Sequence, residues 1–197
     1  MVKQERAART RRALLRAASE VFAEQGYASA SISAISLRAG VSNGALHFHF
    51  ASKLALAEAV RQEATAAVRR TTEAAEAAGP LLGVVDAMRA LVGRLSEDVV
   101  VRAGFALSGG PELRGEGAAG ADPRREWQVW VERMLDRAAE AELLAAGVSA
   151  RGAAEAVVAA TVGFEVLGGR DGSWLDDGTV TRFWDLMLPP LSAGAKG

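Results

Sequence analysis

"ISAISLRAGVSNGALHFHF", residues 32–50, decides how the chain is read. Ile32 and Ile35 stand at i, i+3, and Leu46 and Phe50 at i, i+4, so each pair lies on one side of a short helix. Ser31 precedes the first pair and Ser42 the second segment. A serine in such a place caps a helix by accepting from backbone N–H groups of the first turn. Gly40 stops the first helix, as glycine does just past a C-terminus. The spacing predicts helices over 32–38 and 43–49 joined by "AGVS". That is the spacing of a helix–turn–helix, where a small residue and a glycine let two packed helices meet at a sharp angle.

Outward from this stretch the helical period continues. Leu14, Ala18, Val21 and Phe22 make one apolar stripe of a first helix over 5–25, which Gly26 ends. Ser52 caps a long helix to about residue 77, with Leu56, Val60, Ala64 and Val68 turned inward. "AAGP" at 77–80 breaks the chain, and Pro80 favours a helix start directly after it. A helix over 81–97 carries Leu81, Val84, Val85, Met88, Leu91 and Leu95, and a shorter one covers 98–107. Residues 108–123 are rich in glycine and hold no apolar period, which predicts a flexible loop. Helices follow over 124–146, 149–168 and 177–192. Trp127, Trp130, Val131, Met134, Leu135 and Ala138 line the first of these, and Pro189-Pro190 must kink or end the last. β-branched residues seldom alternate with polar ones over a strand length, and there is no internal repeat. The expected class is all-α: an N-terminal three-helix helix–turn–helix domain over 1–54, then a C-terminal helical domain over 55–197.

Composition narrows the function. The 197 residues include no cysteine and two histidines, His47 and His49. A disulfide framework is excluded, and a zinc site would need histidine and carboxylates alone. Residues two apart on a helix point to different sides, so His47 and His49 do not share one metal. No metal and no cofactor is expected. No apolar run reaches the length of a membrane span, and the N-terminus lacks the apolar segment of a secretory signal. A reducing cytoplasmic setting without membrane attachment is the expectation. Glu126 with Glu132, and Asp176 with Asp177, are carboxylate pairs, but no nucleophile–base pair, metal spacing or phosphate-binding loop accompanies them. An enzyme is therefore not expected. The net charge of −1 conceals an asymmetry: residues 1–53 carry eight basic and three acidic side chains, or +5, and the rest 15 and 21, or −6. One basic end on an acidic body suits a protein that meets a polyanion with that end.

In a helix–turn–helix the second helix enters the DNA major groove while the first crosses the backbone. Asn43, Gly44, Ala45 and His47 then lie on the outer face. Gly44 and Ala45 have almost no side chain, so the helix approaches the bases closely. His47 and His49 can donate to phosphates or base acceptors; the alternative is that they pack with Phe48 and Phe50. Lys53, at the entrance to the next helix, reaches a phosphate, as can backbone N–H groups there.

These residues carry a resemblance. Residues 10–60 resemble the DNA-binding domain of the TetR family of transcriptional repressors. The family pattern is present as Gly26-Tyr27, Ile32 to Ile35, Ala39 to Gly44, His49-Phe50 and Lys53 to Leu56. The chain departs from it at Ala30, where the family usually has Thr, which moves a phosphate contact to Ser31 or Ser33. It departs again at His47, where the family usually has Tyr. The resemblance implies a homodimer on a pseudo-palindromic double-stranded DNA operator. It also implies a small-molecule pocket in the C-terminal domain and a dimer interface built by the last two long helices. "GALHFHFASKLALAEAV" with a Trp-bearing helix further on looks most like the γ-butyrolactone receptors and their pseudo-receptor relatives in antibiotic-producing actinobacteria. In those receptors a Trp on this helix lines the ligand pocket, and Trp127 is the match.

The body has features of its own that bear on this. From Ala156 to Gly169, Thr161 and Glu165 alone are polar. A helix apolar nearly all round must be covered on both sides. A second copy supplies the cover if Ala153, Ala156, Ala160 and Gly163 let helices pack closely and Phe183, Trp184 and Met187 come from the last helix. A central helix in a monomeric bundle is the alternative. A pocket needs apolar walls and one or two orienting polar groups. Trp127, Val131, Met134, Val85 and Met88 offer walls, and Thr161 a hydroxyl that binds ligand or bonds back to the Val157 carbonyl. The expected function is a DNA-binding repressor released from its operator by a small lipophilic effector. The competing one is an effector-independent DNA-binding regulator whose body dimerises or binds a protein partner.

Overall fold

A computed structural model of the chain describes residues 2–110 and 120–193. Nine α-helices account for most of these residues: α1 Val2–Ser29, α2 Ile32–Ala39, α3 Asn43–His49, α4 Lys53–Ala75, α5 Pro80–Glu97, α6 Val99–Gly109, α7 Pro123–Glu140, α8 Ala150–Gly168 and α9 Asp177–Leu191. There is no strand among them, and one isolated bridge joins Leu144 to Ser192. The expected loop over 108–123 lies largely outside the described residues.

The chain forms two compact units. The first comprises residues up to Ala66 together with Asp98–Pro123. Its core joins Leu14, Ala18, Val21 and Phe22 of α1 to Ile35 of α2, Leu46 of α3 with Phe50 just after it, and Leu56 and Val60 of α4. Ala103 and Leu107 of α6 complete it. A Cβ on Gly104 would stand 2.3 Å from the Ala64 Cβ, so glycine is what lets α6 cross α4 so closely. Compactness thus groups α6 and the start of α4 with the helix–turn–helix, a structural grouping wider than residues 1–54.

The second unit comprises Ala67–Glu97 and the chain from Arg124 onward. Val84, Val85, Met88, Leu91, Val92 and Leu95 of α5, the apolar side of α7, and Val157, Thr161 and Phe164 of α8 are all buried. Val180, Trp184 and Leu191 bury the inner side of α9.

Several boundaries differ from the sequence expectation, for local reasons. Helical bonding resumes past Gly26, which itself leaves the helical region (φ 74°, ψ 164°), and runs to Ser29. α4 ends at Ala75 and tightens into a 3-10 turn over Glu76–Ala78. α7 stops at Glu140, six residues early. Glu142 takes a left-handed conformation (φ 55°), and the Glu142 and Leu143 N–H groups return to the Ala139 and Ala138 carbonyls. This closure satisfies the last turn and frees the chain to pair with the end of α9 through Ala145 N–H to Leu191 O and Ala193 N–H to Leu143 O. Both Pro189 and Pro190 fall in the last turn of α9, which ends one residue later.

Candidate functional site

The helix–turn–helix is assembled by serine caps. Ser31 Oγ accepts from Ala34 N–H at 3.1 Å and Ser42 Oγ from Ala45 N–H at 3.2 Å. Between them Gly40 holds the left-handed region (φ 69°), with its N–H on the Leu37 and Ser36 carbonyls. Arg38 fixes α2 to α1 through a two-pronged bond to Glu24, both N–O distances 2.8 Å. That bond holds the Glu24 carboxyl below its usual range.

The face turned away from the core carries Ser31, Ser33, Ser42, Asn43, Gly44 and His47, all exposed. Ala45 and His49 are half-buried. Asn43 turns its amide back to α2, where its carbonyl oxygen accepts from Ser36 Oγ and its NH₂ donates to Ser33 Oγ at 3.4 Å. Asn43 and Ser33 therefore brace the turn. The capping oxygens of Ser31 and Ser42 leave their O–H donors available. A Cβ at Gly44 would meet nothing nearer than Ser42 Oγ at 3.9 Å, so this glycine serves no internal contact. Arg6, Arg9 and Arg12 of α1 are exposed, and Arg11 lies over the Phe50 ring at 5.1 Å.

Lys53 does not have the place expected of a phosphate ligand. Its ammonium donates to the carbonyls of Tyr27, Ala28 and Ala30 at 2.8, 3.1 and 2.9 Å. It also sits 4.5 Å from the centre of the Tyr27 ring. An ammonium has three donors, and all three are used on the carbonyl end of α1. Phe48 is the reverse case. Phe48, two residues from both Leu46 and Phe50 and so on the other side of the helix, is 81% exposed. The signal for it is the i, i+4 step from Gly44.

The second unit holds the other expected group. Trp127, Val131, Met134, Thr161, Val85 and Met88 are all buried. Trp127 Nε1–H donates to Thr161 Oγ at 3.2 Å, and the Thr161 hydroxyl donates to the Val157 carbonyl at 2.8 Å. Trp127 stacks on Trp130, ring centres 5.5 Å apart, and Trp130 donates to Glu76 Oε1 at 3.2 Å. Each buried indole N–H in this pair thus has a partner. Arg124 of α7 reaches both oxygens of buried Glu165 of α8 at 2.9 and 2.7 Å. Burial outweighs that pairing and raises the Glu165 pKa above its ordinary value.

Residues 14–60 match the family model of bacterial regulatory proteins, tetR family. The A-factor receptor protein of Streptomyces griseus is 34% identical over 193 residues, 98% of this chain and 67% of that one. The chain belongs to the TetR family. The TetR family protein CprB of Streptomyces coelicolor, solved in complex with its biological operator sequence, superposes with a TM-score of 0.77 at 27% identity, over 97% of this chain and 92% of that one. A gamma-butyrolactone receptor described as an ArpA-like protein shares the fold, with a TM-score of 0.80 at 23% identity over 97% and 91% of the two chains. Family membership makes this chain a transcription regulator and not an enzyme.

In this TetR family chain, α8 and α9 differ from expectation in which residues they offer outward. Ala153 and Trp184 are 7% and 2% exposed, covered by their own unit, so neither is available to a second copy. Ala156 is exposed, and Ala160, Gly163, Phe183 and Met187 are half-buried, with Phe183 edge-on to Phe164 at 5.7 Å. Val166, Leu167 and Leu186 are exposed apolar residues outside the expected set. On α8 both sides read apolar, so the helical period does not mark which side is outer; on α9 the period of Val180, Trp184 and Leu191 marks the inner side. No helix among the described residues is long and apolar enough to cross a membrane.

Proposed function

We propose that this chain is a dimeric transcriptional repressor, bound to a pseudo-palindromic operator in the cytoplasm and released by a small lipophilic effector. Residues 1–54 would make the DNA contacts, and residues 55–197 the effector site and the dimer. The observation that carries the DNA part is the outer strip of α3: Gly44 and His47 are exposed on a capped helix and serve no contact of the fold. The apolar residues left outside on α8 and α9, with Ala156 and Gly163, offer a self-complementary surface for the second copy. Likeness to an A-factor receptor and the motif resemblance to γ-butyrolactone receptors favour a γ-butyrolactone-type signal or an antibiotic as the effector. Trp127 and Thr161, with Val131, Met134, Val85 and Met88, are the wall. The effector shifts the operator equilibrium by its differential affinity for the bound and released states.

One observation favours the second reading, an effector-independent regulator. The Trp127–Thr161 pair is hydrogen-bonded and almost fully enclosed. An effector must part that contact to use either group.

The experiment is selection of bound duplexes from a random pool, followed by a salt titration of the selected site. The expected product is an inverted repeat with half-sites one helical turn apart. The expected log–log slope of affinity on salt is about −5 to −8 at roughly −0.9 per phosphate. A flat salt dependence or an unselected pool would refute the DNA reading.

A further inference from the structure

Phe48 is a large apolar side chain that the fold leaves outside. It is 81% exposed, while Leu46 and Phe50 on either side of it are 0% and 4% exposed. Its one ring neighbour among the described residues is His49, edge-on at 5.2 Å. Gly44, His47 and Phe48 stand at i, i+3 and i+4 and so form a single strip of α3. That strip contributes nothing to the core of its unit. An exposed benzyl group forgoes the burial that would stabilise the fold, and its place beside Gly44 and His47 on the outward strip of α3 is what singles it out.

Its chemistry limits what that reason is. Phenylalanine has no donor for a phosphate and no hydrogen-bonding group for a base edge. In the major groove the apolar feature that distinguishes a base is the C5 methyl of thymine. The open space at Gly44 lets the helix approach the base edges on this same strip. We propose that Phe48 reads a thymine, its ring packed on the C5 methyl of one thymine in each operator half-site. This assignment rests on the operator reading above and adds a specificity-determining residue to it.

The test replaces each thymine of the selected duplex in turn with deoxyuridine, which keeps every hydrogen-bonding group and removes the methyl. Affinity is read by fluorescence anisotropy with the full-length protein. The wild type should lose roughly fourfold at one position per half-site, the worth of one methyl-sized group taken out of water, and nothing comparable elsewhere. Phe48→Ala should abolish that sensitivity, Phe48→Leu should keep part of it, and His47→Ala should keep all of it. The exposed position means that Phe48→Ala should melt at the parent temperature. A wild type insensitive to every methyl, or a Phe48→Ala protein with the same sensitive position, overturns the assignment and leaves the operator reading standing. Failure to select any duplex overturns the operator reading and the role of Phe48 with it.

Discussion

The outer strip of α3 and the Trp127 cluster are both proposed sites, and they are built in opposite ways. Gly44, His47 and Phe48 touch almost nothing of their own unit. Trp127, Thr161, Val131 and Met134 are enclosed, and the first two hydrogen-bond to each other. A surface strip free of internal duties can change its reading of a partner without cost to the fold. An enclosed cluster cannot, because each side chain that would meet an effector also holds helices together. Substitutions should therefore separate function from stability in the first region and couple them in the second.

The largest expected effect lies in the enclosed cluster. Trp127→Ala should cost about 3–5 kcal/mol of stability, the range for removing a buried Trp, and leave the Thr161 hydroxyl without its donor. Thermal and denaturant unfolding measure it. A loss under about 1 kcal/mol would mean an open cavity beside the ring and would break the contrast. Gly44→Ala tests the other region. Its Cβ has room in the free protein and suits a helix, so the melting temperature should hold or rise. Operator affinity should nevertheless fall by about 1–3 kcal/mol, the worth of one good base contact. A melting temperature that falls with affinity would show that Gly44 serves the fold after all.

Lys53→Met comes next. Removing the ammonium strands three carbonyls at the end of α1, at a cost of about 1–3 kcal/mol, while the salt slope of DNA binding stays at the parent value. A slope reduced by about 0.9 with stability intact would restore Lys53 as a phosphate ligand. The smallest effect is a pH dependence. Burial raises the Glu165 pKa, so the folded chain holds that proton more tightly than the unfolded chain. Its contribution to stability then falls as pH rises from the unfolded value, 4.5, through the raised folded value. Glu165→Gln removes this titration, so the variant should gain stability relative to the parent as pH rises across that window. A difference that does not change with pH would contradict the buried state of this carboxylate.

Much of this was legible in the residues. Serine caps at 31 and 42, glycine at 40 and the Ile35, Leu46 and Phe50 core each follow from local spacing, and α2 and α3 lie within a residue of the expected bounds. The Trp127–Thr161 contact joins two residues that the sequence marks separately, one as a buried N–H and one as a lone hydroxyl. What the sequence does not show is three-dimensional assignment of a shared resource. Lys53 lies 26 residues from Tyr27, so no local pattern ties its ammonium to those carbonyls. Ala153 stands on α8, which is apolar on nearly every side, and period alone cannot say which side its own unit covers. Phe48 is legible in the period, since it stands two residues from inward Leu46 and Phe50 and is 81% exposed, but nothing local says what it meets.

Release of the operator by a small molecule separates the two functional readings. The direct measurement is anisotropy of the selected duplex bound to the full-length protein, titrated with γ-butyrolactones of increasing alkyl length and repeated with Trp127→Phe. Saturable release by at least one lactone is expected, at a concentration that the variant raises without changing its own operator affinity. An operator held unchanged by every lactone and by candidate antibiotics, from a protein that still selects its inverted repeat, would contradict it and establish the effector-independent regulator instead.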